Sequence, residues 1–584
     1  MGAGLANNLG RATLQNDGRE NDFDHVESSL MGEDQASITE KWDKFMHSIS
    51  SQGAKYTDPD FPPDRTSLIE DWDSQSRSTQ TAIEQWQHYK WVRCDQIPQL
   101  NAKENGSMSI FKESIEPSDI MQGKLEDSYY LSALAAIAET PNRIKRMFLS
   151  QDMNKEGVFG VKTYFNGMEN LMVVDNLFPC KNSKPVFAKS NNNELWALIL
   201  EKVWAKHHRS YHAITAGQSY EVFRDLLGAP SYYYKVNENN IWKVLRLADK
   251  NKYICSVTAK PGETEKKKLE ALGSVSMPSY CLLQTIELLD RSNTKIKLMK
   301  LKNPWGNFEW NGDWSENSDL WTDKLKEQAG IGKTKDTKAF WMALPDVQKH
   351  FVSLHVSKYR ENANFTYFKK LENHNGYSLF GIQVHADGAQ TLAVTQKDKH
   401  GYAQQAHFKY QACRFILVRL NNDTDILEGV EYINGQLESF EKNYYIECDW
   451  MTKGKYLAFV EFDWDEDISD YEKTFSINTY GEAKVVFSDE SNLYQKEDFL
   501  KAAFISKLQK TQDSLHVIDM AEQGAPLIKR YLDCNFKEGY IYVIIENKDD
   551  EAVYTESLEF DKFENMEMCY PYQGERFDVE VGPG

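Results

Sequence analysis

Cysteine is scarce, with 8 in 584 residues and none arranged as Cys-x-x-Cys, which excludes a disulfide framework and a zinc ribbon. Long apolar runs are missing too. The longest nearly uncharged one, Leu131–Ala138, is far too short to cross a bilayer. No secretory signal opens the chain, and Ala6 stands where a myristoylation pattern after Gly2 asks for Ser or Thr. Basic residues are outnumbered 68 to 88, and the formal net charge of −20 repels nucleic acid phosphates and anionic membranes overall. Histidine is absent between His212 and His350. These absences predict an intracellular, cytoplasmic protein with no membrane insertion and no nucleic acid partner. What is present in quantity is aromatic: 14 Trp, 30 Tyr and 29 Phe fill several cores and exclude wholesale disorder. The length predicts about three or four domains.

Residues 1–52 mix Gly, Asn, Asp, Glu and Ser and read as a mobile tail, with an amphipathic docking helix around Ile38–Ile49. Tyr56-Thr-Asp-Pro-Asp-Phe-Pro-Pro63 should run extended. Leu131–Ala138 is apolar on more than one face, which predicts a buried helix starting near Asp127 or Ser128. Asn166-Gly167 between β-rich arms signals a hairpin. Helices are expected at Glu194–Lys206 and Ser219–Leu227, and strands at Tyr253–Val257, Tyr280–Leu288 and Thr294–Leu301. Ile296 and Leu298 alternate with lysines, and Met299 and Leu301 do so in the opposite phase, which predicts a β-bulge near Leu298–Met299. Beyond His355 short β-branched and aromatic runs predict an antiparallel sandwich, then a helix near Lys496–Lys510 and a last β stretch from Gly539 to Val581.

Gln122-Gly-Lys-Leu-Glu-Asp-Ser-Tyr-Tyr-Leu131 resembles the nucleophile segment of the calpain family of papain-like proteases, usually Gln-Gly-x-Leu-Gly-Asp-Cys-Trp. Asp58-Pro-Asp-Phe-Pro-Pro63 resembles the family's opening segment, and Glu194–Lys206 its long helix. Lys302-Asn-Pro-Trp-Gly306 with Glu309-Trp310 is similar to the catalytic-asparagine segment, and Phe340-Trp-Met342 to the end of the protease core. The resemblance covers roughly residues 55–350 and, more weakly, the β regions to the end. It implies an α+β fold: a two-lobed papain-like core followed by two antiparallel β-sandwich modules of C2-like type. The implied domains are lobe 1 at 53–232, lobe 2 at 233–352, a sandwich at 353–486 and a smaller β module with a leading helix at 487–584.

Such a core needs a thiolate at a helix N-terminus, an imidazole base, an asparagine to orient it, and an oxyanion hole. Here Ser128 stands at the nucleophile position and Tyr280 at the base position, so of the constellation only Gln122 and Asn303 remain. Tyrosine is normally protonated and a poor base at neutral pH. Glu126 and Tyr129, where the family has Gly and Trp, argue for natural divergence rather than a single inactivating change. The resemblance also implies calcium carboxylates, Asp119 and Glu194 at a first site, with Glu309 and Glu316 at a second where Ala339 replaces an acid.

Other features carry less. Cys281 reads as inert packing, His207, His208 and His212 lack partnering cysteines, and Lys266-Lys-Lys268 is a solvated loop. Glu461–Asp467 is an acidic loop that blocks edge aggregation or binds calcium. The expected function is a calpain-like pseudoprotease binding other proteins as a scaffold or regulator. Family members lacking the catalytic residues are associated with cytoskeleton and cilium, which implies microtubule or axonemal partners. The alternatives are a calcium-dependent hydrolase using Ser128 with a base from elsewhere, and a peptide-binding decoy. The alternating strand with Phe577, Val579 and Val581 is expected to present an open edge to a partner.

Overall fold

The computed structural model describes residues 37–582 except 102–107, 113–114, 191–192, 263–278, 291–292, 304–309, 332–338, 372–375, 400–408, 422–426, 428, 438–440, 467, 511–514, 521–526, 536–539 and 560–575. The chain forms two compact units, Met1–Ala363 and Asn364–Gly584.

In the first unit, Ile38–Ser50 (α1) starts from a capping box between Ser37 and Glu40. Its buried Trp42 lies against Gly160, where a Cβ would come within 2.5 Å of the indole. The docking helix expected around Ile38–Ile49 is thus present, anchored by one aromatic side chain, and the mobile tail expected for 1–52 does not extend over it. Lys90–Arg93 (β1) pairs with a later strand, and the Asn166-Gly167 hairpin forms between Val158–Thr163 (β2) and Asn170–Asp175 (β3). Asn166 and Gly167 take the positive φ values that this turn demands. Leu177–Lys181 (β4) is the partner of β1. Around these strands pack Ser128–Ala138 (α2), Trp196–His207 (α3) and Ser219–Leu227 (α4), and every residue of α2 is buried. Gly228 stops α4 in the left-handed region.

The second lobe is a six-stranded antiparallel sheet. Its strands are Ser231–Lys235 (β5), Ile254–Ala259 (β6), Ser279–Leu289 (β7), Lys295–Lys302 (β8), Ala339–Ala343 (β9) and Phe351–Ser357 (β10), in the order β9-β8-β7-β6-β10-β5. Ile241–Lys250 (α5) and an apolar core that includes Val257, Tyr280, Met299, Phe340, Phe351 and Leu354 cover one face. On the opposite face Ser256, Thr258, Ser279, Ser353, His355 and Ser357 are all buried. That polar face meets lobe 1 where Cys281 Sγ approaches Ser132 O of α2 and Tyr220 of α4 stacks on His355. The sheet corrects two expectations. The expected 352/353 boundary cuts β10, which ladders to β6 and β5 and belongs whole to this sheet. The bulge expected near Leu298–Met299 lies across the ladder instead, between Leu282 and Gln284 of β7. The phase change arises because Leu298 fills a tryptophan-rich cluster on one face while Met299 and Leu301 fill the core on the other.

The second unit contains the sandwich. Its strands run in chain order as Asn364–Leu371 (β11), Tyr377–Val384 (β12), Gly388–Gln396 (β13), Ala412–Arg419 (β14), Glu431–Leu437 (β15), Asn443–Met451 (β16), Gly454–Asp463 (β17), Thr474–Gly481 (β18) and Val485–Asp489 (β19). They make sheets β11-β18-β13-β16 and β15-β14-β17-β12-β19, which enclose Phe380, Phe415, Tyr444, Phe462 and Ile477. Lys496–Lys510 (α6) lies on the outer face of the five-stranded sheet, burying Phe499 and Ala503 against Leu379, Ile416 and Phe459. The 486/487 boundary thus cuts through a packed core. Among the described residues, the rest is a three-stranded sheet (Leu515–Asp519, Ile528–Asn535, Tyr540–Asn547) and a hairpin of Tyr554–Glu559 (β20) with Arg576–Val581 (β21). The expected second sandwich is not seen among these residues.

Candidate active site

The loop before α2 is shaped by close backbone approach. Lys124 N donates to Val186 O at 2.8 Å, and a Cβ at Gly123 would lie 1.9 Å from Phe187 O, so only glycine fits there. Gln122 is exposed on this loop, Glu126 sits at φ 64°, and Ser128 begins α2 at 5% exposure. Tyr129 is fixed from two sides, receiving the Trp204 indole N–H at 3.0 Å on its hydroxyl and the Ser219 hydroxyl at 2.9 Å on its carbonyl.

Tyr280 lies in β7 with its ring edge-on to Phe340 and Phe351, in the core shared with α5. Burial raises its phenol pKa further, away from base chemistry. Neighbouring Cys281 points the other way, to α2, and burial holds its thiol protonated. Asn303, buried, directly follows β8. His355 is sealed, with Nε2 3.1 Å from Thr258 Oγ1 and 3.0 Å from Ser353 Oγ, and desolvation lowers its pKa to about 3.

The first carboxylate pair does come together. Asp119 Oδ2 accepts Glu116 N at 2.7 Å, Glu194 Oε1 accepts Lys112 N at 2.5 Å, and the two carboxyls meet. Burial, with Asp119 alongside, raises Glu194 to about 7, and its Oε2 has no hydrogen-bond partner. Two adjoining carboxylates with an unsatisfied oxygen suit a hard divalent cation. Of the second pair, Glu316 is exposed in a turn and Glu309 lies outside the described residues, as does Lys266–Lys268. In the acidic loop, Asp465 N donates to Gln411 Oε1 at 2.8 Å.

Pairings between distant segments were not foreseen. Lys206 Nζ bonds both Asp58 oxygens at 2.9 Å, and Asp175 Oδ2 accepts Asp58 N at 2.8 Å. Lys202 Nζ pairs with Asp175 and donates to Leu177 O at 2.8 Å. The opening segment and the long helix, recognised separately as motifs, are thus the two halves of one buried ion-pair network. Desolvation of such ions is expensive unless they are paired and hydrogen-bonded, which ties these residue types to one another. Asp127, expected only as a helix start in the nucleophile segment, and Glu201 of the long helix are two further buried acids that spacing does not single out.

Comparison with known proteins agrees with this layout. The family model described as calpain family cysteine protease matches residues 56–358, more than half of the chain. The calpain-type cysteine protease DEK1 of Arabidopsis thaliana is 31% identical over 326 residues, covering 53% of this chain and 14% of that protein. Calpain-A of Drosophila melanogaster is 28% identical over 341 residues, 55% of this chain and 39% of its own length. Calpain-9 of Mus musculus is 31% identical over 254 residues, 41% of this chain and 36% of its own. The chain therefore spans well under two thirds of these relatives. On the family match and the arrangement of its motifs, the chain belongs to the calpain family of cysteine proteases.

Proposed function

We propose that this chain is a non-proteolytic calpain-family protein that acts by binding other proteins, as an intracellular scaffold or regulator. One observation supports the reading: Tyr280, which the motif resemblance puts at the base position, has its phenol packed edge-on to Phe340 and Phe351, where it is of no use as a proton shuttle. The relatives are named as proteases, so the reading rests on residues and not on kinship. The test is turnover of a fluorogenic peptide by the purified chain with millimolar calcium. No turnover is expected, and Ser128→Ala should be indistinguishable from the parent. Turnover that Ser128→Ala abolishes would sink the reading in favour of a serine hydrolase. Ser128→Cys combined with Tyr280→His should also stay inactive, because position 280 faces the apolar core.

Calcium at Asp119 and Glu194 is part of this proposal, supported by the meeting of the two carboxyls. Microtubule or axonemal partners are inferred from the motif resemblance alone, and recovery from native extract with and without calcium would test them. The outer edge of β21, with Phe577, Val579 and Val581, is the surface we assign to a partner strand. Among the described residues its ladder is to β20.

A further inference from the structure

Asp127 occupies the N-cap of α2, where an aspartate ordinarily turns its carboxylate onto the first-turn amides. Here it makes no such bond. Its carboxyl meets that of Glu201 on α3 instead. Both side chains are sealed, at 0% and 2% exposure. Glu201 accepts Ala188 N–H at 3.0 Å on each oxygen, and neither Asp127 oxygen has another donor. The titratable groups facing the pair are the hydroxyls of Tyr129, Tyr130 and Tyr211, with Asp175, Cys180 and Glu221 around them. No cation is paired with either acid among the described residues. Two carboxylates in such a place cannot both be charged.

We propose that Asp127 and Glu201 hold one proton between them and work as a proton-operated latch beneath Ser128. Protonated, the pair keeps Asp127 off the first turn of α2, whose amides stay without a side-chain cap. Deprotonated, Asp127 swings out and caps the helix, where the dipole favours its charge. The latch reaches the rest of the loop through Ala188. Lys189–Ser190 pairs with Ile120–Met121, and Val186 O holds Lys124 N. The state of one proton therefore bears on the segment Gln122–Ser128, whether or not Ser128 acts on a substrate.

Burial raises Asp127 to about 7 and Glu201 well above its ordinary range. A carboxyl raised above its unfolded value adds stability that is complete below the unfolded pKa and is lost as pH rises through the folded one. Above about pH 6.5 His355, held at about 3, is silent, whereas Glu194, raised to about 7, titrates in the same window, so the comparison with variants of the pair assigns the effect. The experiment titrates the full chain upward from about pH 5 and compares it with Glu201→Gln and Asp127→Asn. Difference infrared spectra of the parent should show a protonated-carboxyl band that persists past about pH 7 and bleaches above it as Tm falls, because the last proton of the pair leaves at the higher of the two values. Either amide variant should reduce that band and flatten the Tm profile, so one that folds suffices. Hydrogen exchange of the Asp127–Leu131 peptide, corrected for intrinsic pH dependence, should shift across the same interval in the parent only. Identical bands and Tm profiles in parent and variant overturn the shared proton. Unchanged exchange in the parent overturns the swing.

Discussion

At the scale of single residues, the site segment shows what a divergent sequence has to tolerate. Glu126 holds φ 64° where the family pattern has glycine, and a side chain in that region costs about 1–2 kcal/mol. Glu126→Gly should leave chemical-denaturation stability level or raise it by up to about 1 kcal/mol, while a β-branched Glu126→Val should lower it by about 1–2 kcal/mol. A glycine variant clearly less stable than the parent would mean that the Glu126 side chain contributes through contacts of its own. The motif match made this position legible, since a glycine-to-glutamate change beside a helix start is visible in the residues themselves. Asp127 and Glu201 were equally visible as letters, but nothing local says that two acids far apart in the chain will face each other with no cation between them. Burial without a partner is a property of packing, not of spacing.

Elements were legible where periodicity acted alone. The limits of Ser219–Leu227 and Lys496–Lys510 agree with the reading, because glycine stops the first and the second has a clear helical composition. In Glu431–Leu437 the turn-favouring pair Asn434-Gly435 lies inside a strand whose register shifts at Leu417/Val418. Local turn chemistry lost there to a ladder on the sheet edge. The 486/487 boundary failed for a related reason: α6 looked like the start of a module but is the lid of the five-stranded sheet. A fragment 364–510 should therefore stay monomeric, whereas 364–490 should expose Leu379, Ile416 and Phe459 and aggregate. Light scattering of the two fragments decides it. Equal solubility would mean that the helix is dispensable to the sandwich.

For the whole molecule, the α+β plan and the order of core and sandwich were readable because the motifs arrive in sequence. The division at Ala363 was not, since β10 shares the β-rich character of the sandwich strands after it while laddering backward to β6. Calcium should act at this scale, through linkage between binding and folding. At about a hundred times its Kd it would add about 2.7 kcal/mol and raise Tm. Asp119→Asn should abolish the rise. Because Glu194 is raised to about 7, binding should release a proton and weaken below that pH. A Tm insensitive to calcium, or a rise that survives Asp119→Asn, would remove calcium from this pair.

The hydroxyl-bearing face of the six-stranded sheet has a mechanical consequence. Ser256 Oγ, Ser357 Oγ and His355 Nδ1 are buried there without partners, so the contact with α2 and α4 includes groups that water would satisfy better. The cores on either side gain nothing from wetting. Under load the molecule should yield by shear along this plane before either lobe gives way. It is a slip plane, lubricated as soon as the first waters enter.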